Sequence, residues 1–386
     1  SAGYIPDFEG IDSFQGSWCH TSRWPKEGMD LAGKRVGVVG TGATAVQLIP
    51  EIADEVAHLT IFQRTANYCA PLRNGPIDPE WQREIKANYP EIFKKCSETP
   101  GAFMHEFDPR SALEVPEEER LAQYERLWAE PGFKKWLANF QDIMMPGEAN
   151  EHYAEFVRNK IRERVKDPVV AEMLVPKDHP FGSKRLPCET GYYDVFNRDD
   201  VLLVDVREAP IERITPKGIQ TSGAEYELDV IIFATGYDAG TGSLTRIDIR
   251  GEGGQTIKDK YAGGPRNYMG LQSVGFPNLF IMPGAGAGNF TRGCEPVVEW
   301  VTDCIGYMRE NEFTRISATP EAEEAWTKYV AEASANLLRT KADSWFVGAN
   351  IPGKARVLLG SPDSAPVARA KRAQVAANGY EGFLLR

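Results

Sequence analysis

The feature that most constrains this chain is a glycine turn set between a strand and a helix. Lys34-Arg35 precede the apolar run Val36-Gly37-Val38-Val39, then Gly40-Thr41-Gly42-Ala43-Thr44-Ala45, then an apolar stretch of helical character. A second short apolar run, Leu59-Thr60-Ile61-Phe62, follows Asp54 and Glu55. Strand, turn, helix and strand in about 30 residues make one parallel βαβ unit. Its GxGxxA turn presents bare backbone N–H groups at a helix N-terminus, where a pyrophosphate can sit. Glycine turns serve many folds, but the strand before and the helix after make a dinucleotide the expected ligand. Its expected contacts are Gly40, Thr41, Gly42, Ala43, Thr44, Ala45 and Gln47. Pro50 lacks the N–H that a helix interior needs, which predicts a bend or a restart near Glu51.

The end of the second strand decides which dinucleotide. An NAD site wants an acid there to accept from the ribose 2′-hydroxyl, whereas a 2′-phosphate wants a cation. Gln63-Arg64-Thr65 follow Phe62, with no acid in place. Arg64 can donate bidentately to a phosphate and Thr65 adds a hydroxyl, so NADP is favoured over NAD. The bland alternative for Arg64 is a solvent-facing cation at a strand end.

Beyond this unit, 386 residues suit two domains, or one with a large insertion. Residues 76–175 are rich in Glu, Lys, Trp and Leu and predict an insertion of amphipathic helices. Strand patterns return at Val201–Val204, Asp229–Ala234 and Asn278–Met282, with short antiparallel strands expected across Glu212–Tyr226. Helices are expected over Glu295–Arg309 and Glu321–Leu338. The net charge of −11, from 44 Lys and Arg against 55 Asp and Glu, argues against nucleic acid or an anionic membrane as partner. No apolar stretch is long enough to span a membrane and no signal peptide opens the chain, so a cytoplasmic protein is expected. Six scattered cysteines without a CxxC, and five scattered histidines, point to reduced thiols and to no metal site.

Just upstream of the turn stands Phe14-Gln15-Gly16-Ser17-Trp18-Cys19-His20-Thr21-Ser22-Arg23-Trp24-Pro25. A lone histidine between aromatics is more often a packed side chain than a catalyst. Yet FxGxxxHxxxWP followed by an NADP-type turn resembles the fingerprint of type I Baeyer–Villiger monooxygenases, and Trp24-Pro25 separates that branch from related flavin monooxygenases. Other segments are similar to the same family: Phe62-Gln63-Arg64-Thr65, Phe181-Gly182-Ser183-Lys184-Arg185, Asp229 to Gly236-Tyr237-Asp238, Ser344-Trp345 to Gly353-Lys354, and Gly379 to Phe383.

The resemblance implies an α/β flavoprotein with two dinucleotide-binding domains. Residues 1–30 would link the domains, 31–185 would form a complete Rossmann-like NADP-binding domain with the helical insertion, and 186–386 would form the C-terminal portion of an FAD-binding domain. It implies FAD and NADP as cofactors, and a ketone and O2 as substrates converted to an ester or lactone through a C4a-peroxyflavin. Lys184 would meet the 2′-phosphate with Arg64 and Thr65, Trp345 the nicotinamide cofactor, and Phe290 the flavin. Arg185 would be the catalytic residue, its guanidinium stabilising developing negative charge. From spacing alone Lys184-Arg185 reads as a surface basic pair; the resemblance reverses that. His20 and Trp24 would couple domains rather than perform chemistry.

The sequence departs from the family in one large respect. It opens almost on the fingerprint, with no first GxGxxG for FAD, and the later Gly284/Gly286/Gly288 run is not followed by a second strand with an acidic end. The favoured expectation is a split enzyme whose second polypeptide supplies the FAD-binding segment, Ser1 being what remains after loss of an initiator Met. A fragment of a longer protein and a non-catalytic NADP-binding module are the competing possibilities, and a sulfide or amine oxygenase is the alternative chemistry. A second departure is Val357 to Pro366, where two prolines and small polar residues stand in place of an aromatic, glycine-rich run.

Overall fold

The apolar runs become strands of one parallel sheet buried on both faces. In the computed structural model, which describes residues 2–282 and 289–386, the strands begin with β1 (Ser17–His20), β2 (Arg35–Val39), β3 (His58–Gln63) and β4 (Val201–Asp205). An antiparallel meander follows, β5 (Ile211–Thr215), β6 (Gly218–Thr221) and β7 (Glu225–Glu227), and leads into β8 (Val230–Phe233). The spatial order is β1-β8-β2-β3-β4, with every pairing parallel.

The two-residue period of a strand divides the apolar residues between two cores. Val36, Val38, Leu59, Ile61, Val230 and Ile232 meet Ala45, Val46, Ile49 and Ile52 of α1 (Ala43–Ile52) on one face. Val39, Phe62, Ile231 and Phe233 meet Phe14 and the meander residues Ile214, Ile219 and Leu228 on the other. Gly37 belongs to this second face, where a Cβ would lie 2.5 Å from Leu228 Cδ1. Pro50 lies inside α1, and the helix neither breaks nor restarts. The proline falls in the last turn, so the missing donor costs a single late bond, and Ala53 N–H still reaches the Ile49 carbonyl at 3.1 Å.

Residues of the expected insertion are helical: Pro79–Ala87, Tyr89–Glu98, Glu117–Ala129, Glu148–Arg164 and Pro168–Leu174. The chain divides into two compact units. One comprises Gly3–Asn74 and Phe107–Tyr237, the other chiefly Gly75–Glu106 and Asp238–Arg386. The helical stretch is thus shared between them, and residues 186–237 fold with the glycine turn.

In the second unit the helix Phe290–Glu310 presents Val297, Trp300, Cys304 and Met308 at helical spacing. They pack on Tyr380 and on the antiparallel pair β9 (Ile316–Ala318) and β10 (Phe383–Leu385). Two sequence expectations fail here. Asn278–Met282 is not a strand: Asn278 turns at φ +59°, its side chain bonds the Thr314 carbonyl and Ile316 N–H, and only isolated bonds such as Ile281 N–H to Leu271 O follow. The helix from Pro320 ends at Ser334, not at Leu338, because Leu337 N–H turns back to the Ser334 carbonyl. No described helix is long and apolar enough to cross a membrane.

Candidate functional site

The sheet order places a topological switch between β2 and β8. The chain leaves β2 toward β3 on one side, while β8 arrives later on the other, which opens a crevice at the carboxyl ends of the strands. Gly40 stands at that point. Its N–H donates to the Phe62 carbonyl at 2.9 Å, its φ is +105°, and a Cβ would lie 2.7 Å from the Ala234 carbonyl oxygen. Backbone conformation and close approach both require glycine here. Gly42 differs, having extended backbone and nothing within 4 Å of a would-be Cβ.

No side chain caps α1. The first amides of this helix, from Ala43 and Thr44, are therefore left for an acceptor from outside. Ala45 is fully buried beneath them. Gln47 is locally satisfied, its amide donating to the Ala43 carbonyl at 3.1 Å. The turn is fastened to the end of β3 by the buried Thr41, whose hydroxyl donates to the Thr65 carbonyl at 3.0 Å.

Beyond β3, Arg64 is exposed, and no hydrogen bond or ion pair of its guanidinium is found among the described residues. Thr65 Oγ1 accepts from Arg207 at 2.8 Å, and Arg207 also pairs with Asp178. Sequence reasoning missed both Arg207 and Asp178. The signal that could have found Arg207 is its place just past the strand that pairs with β3, where Gln63 lies opposite Asp205. Lys184 is half-buried and acts electrostatically on Asp178 and His179, while Arg185 is exposed. They follow buried neighbours: Phe181 sits in an aromatic core and the Ser183 hydroxyl donates to the Pro180 carbonyl at 2.7 Å. Asn67 also donates to the Arg185 carbonyl at 3.3 Å.

Burial opposes charging Asp178, but Arg207 and His179 more than offset it, and the carboxyl falls to about 2. Burial pushes the imidazole of His179 below its usual value.

The fingerprint histidine has a definite bonding pattern. Nδ1 of His20 accepts from Ser22 N–H at 3.1 Å, so the proton of the neutral ring sits on Nε2 and is donated to the Gly236 carbonyl at 3.0 Å. Burial lowers its pKa, which favours that neutral form. Gly236 adopts φ +87°, and Thr235 donates to the Tyr4 carbonyl at 2.5 Å.

All of these residues lie in the Gly3–Asn74 and Phe107–Tyr237 unit. Trp345 and Phe290 belong to the other. Trp345 opens a short turn capped by Ser344, stacks tilted on Phe346 at 4.0 Å, and lines a small cavity with Gly240, Arg339, Leu358 and Leu359. Phe290 is 58% exposed at the start of its helix. The Gly284/Gly286/Gly288 run lies outside the described residues. Among the described residues no group of His, Cys, Asp and Glu could hold a metal ion.

No protein-family model matches the chain. Individual proteins do. It is 46% identical to 2-oxo-Δ3-4,5,5-trimethylcyclopentenylacetyl-CoA monooxygenase of Pseudomonas putida over 400 residues, which span all of this chain and 73% of that relative. It is 41% identical to cyclopentanone 1,2-monooxygenase of a Comamonas species over 386 residues, 98% of this chain and 70% of the relative. The crystal structure of OTEMO complexed with FAD and NADP superposes with a TM-score of 0.95 at 47% identity, covering 100% of this chain and 74% of that one.

The chain belongs to the Baeyer–Villiger monooxygenases. As a member it is a flavin-dependent monooxygenase of a family whose cofactors are FAD and NADP. The Baeyer–Villiger monooxygenases are two-dinucleotide-domain flavoproteins, and this member has the α/β fold.

Proposed function

We propose that this chain carries out the NADPH- and FAD-dependent insertion of one oxygen atom of O2 beside a ketone carbonyl, giving an ester or lactone. The observation that carries the reading is the whole-chain likeness, at 47% identity and a TM-score of 0.95, to OTEMO complexed with FAD and NADP. The residues present fit NADP: an uncapped helix N-terminus, an open face at Gly42 and a hydroxyl-and-cation end at Thr65. Gly40 to Ala45, with Gln47 beside them, would hold the pyrophosphate. Arg64, Thr65 and Lys184 would hold the 2′-phosphate, and Trp345 the nicotinamide end. Phe290 would approach FAD.

Bound FAD would supply the reaction with O2, and NADPH the hydride. Arg185 would be the residue that stabilises negative charge developing on oxygen, and its exposed place beside the buried Phe181 and Ser183 suits that role. Residues 31–185 would serve NADP and residues 186–386 FAD, with 1–30 as the link. These functional boundaries differ in kind from the compact units. The substrate class is a ketone; the names of the two relatives above indicate ring-bearing substrates for those proteins.

A separate polypeptide supplying the FAD-binding segment is not supported by these relatives, in which the matched region belongs to a single longer chain. Nor do they favour sulfide or amine oxygenation, or a non-catalytic module. The test is Arg185→Ala, assayed with NADPH, O2 and cyclopentanone in the FAD-loaded enzyme. Ester formation should fall about 100- to 1000-fold, the scale for losing one preorganised charge-stabilising donor, while NADP+ affinity is kept. Equal ester formation by the variant would remove Arg185 from the chemistry.

A further inference from the structure

The cationic end of β3 has an acid at its centre. Asp178 Oδ1 accepts from His179 Nδ1 at 2.6 Å, and Oδ2 accepts from Arg207. Lys184 adds a positive field on the same carboxylate. Arg207 is aimed here from β4, its own N–H bonded to Asp205 at 2.8 Å and the preceding Val206 N–H to the Gln63 carbonyl at 2.9 Å. The same nitrogen, Nη2, also donates to Thr65 Oγ1 at 2.8 Å. A hydroxyl that accepts from an arginine keeps its own proton for an acceptor elsewhere. Thr65 is therefore set as a donor, at a strand end already tied to the glycine turn through Thr41.

A phosphate arriving at this point would gain that donor and the cations, but it would meet a like charge in Asp178. The carboxylate occupies the role of counter-ion to Arg207, which a phosphate would have to share.

We propose that Arg207 and Asp178 are an opposed pair that sets how strongly this enzyme prefers NADP over NAD. Arg207 is a positioning residue that orients the Thr65 hydroxyl toward the 2′-phosphate and adds a cation. Asp178 holds Arg207 in place between ligands and weakens phosphate binding. The inference rests on the reading of Arg64, Thr65 and Lys184 as the 2′-phosphate site.

Titration calorimetry of the purified protein with NADP+ and with NAD+ tests it without turnover. Arg207→Gln should weaken NADP+ binding roughly tenfold, the loss expected for one charge-assisted hydrogen bond, and leave NAD+ unchanged. Asp178→Asn should tighten NADP+ binding several-fold, again with NAD+ unchanged. Opposite signs are the signature, because a merely structural role would weaken binding in both variants. Arg207→Lys, which keeps the charge on a shorter and more mobile stem, should fall between Arg207→Gln and the parent. Shifts of the same sign, or equal shifts for NADP+ and NAD+, overturn the proposal. A control separates this from the underlying reading: Lys184→Ala should reduce the preference for NADP+. If the parent protein shows no preference, or Lys184→Ala leaves it intact, the 2′-phosphate assignment itself fails and the proposal with it.

Discussion

The two ends of the parallel sheet are built from the same strands and are finished in opposite ways. At the amino end charges are closed on one another. The Arg35 side chain meets Asp229 through two hydrogen bonds of 3.1 and 2.8 Å and Glu227 through one of 2.7 Å, and Lys34 pairs with Asp30 at 2.9 Å. At the carboxyl end the finish is incomplete. The helix start is uncapped, Gly42 faces open space, and Arg64 has no bonded acid among the described residues. Open donors at one end and met ones at the other support the proposed place of the ligand, even though Arg207 and Asp178 pair with each other nearby.

This contrast can be broken at its most constrained residue. Gly40→Ala should destabilise the protein by about 2–3 kcal/mol, since φ of +105° and a backbone oxygen 2.7 Å from the new Cβ cannot both be relieved cheaply. NADP+ binding should fail in the same variant, and urea titration with calorimetry would show both losses. A variant as stable as the parent would mean that the turn is looser than its geometry implies. Gly42→Ala should separate the two properties. Its Cβ meets no protein atom, so the melting temperature should hold, yet NADP+ affinity should fall roughly tenfold because the pyrophosphate needs that space. Unchanged affinity would place the ligand elsewhere.

The smallest expected effect is at the amino end, where Arg35 holds the Asp229 carboxyl down to about 2. A carboxyl depressed in the folded state contributes stability above the ordinary carboxylate range, and that contribution disappears as the pH falls through about 2. Asp229→Asn should therefore lower melting modestly at neutral pH, flatten the acid-side decline between about pH 4 and 2 by the same modest amount, and leave NADP+ affinity alone. A loss of NADP+ binding would show that the two ends are not independent.

What could be read from the residues follows the range of each signal. Strand β2, the turn and β3 lie within one short window, so period and glycine spacing place them within a residue or two. Arg64 and Thr65 follow from the same window. Arg207 does not, because it stands 142 residues from Thr65 and arrives only when β4 pairs with β3. Asp178 is hidden for the same reason, being brought to Arg207 by the fold and not by sequence neighbourhood. The failed strand at Asn278–Met282 shows the converse. Its apolar run is strand-like, but Asn278 uses its side chain on the Thr314 carbonyl and the Ile316 N–H, a long-range choice that local pattern does not carry. Pro50 misleads in a different way, since a proline in the last turn of a helix removes little.

The proton arrangement at His20 has a bearing on how the enzyme responds to its surroundings. With Nδ1 engaged by Ser22 N–H, Nε2–H on the Gly236 carbonyl and burial disfavouring the cation, this ring is a clasp that works in its neutral form. Charging the ring, which burial shifts to the acid side of its ordinary range, would take from Ser22 N–H its acceptor and loosen the clasp.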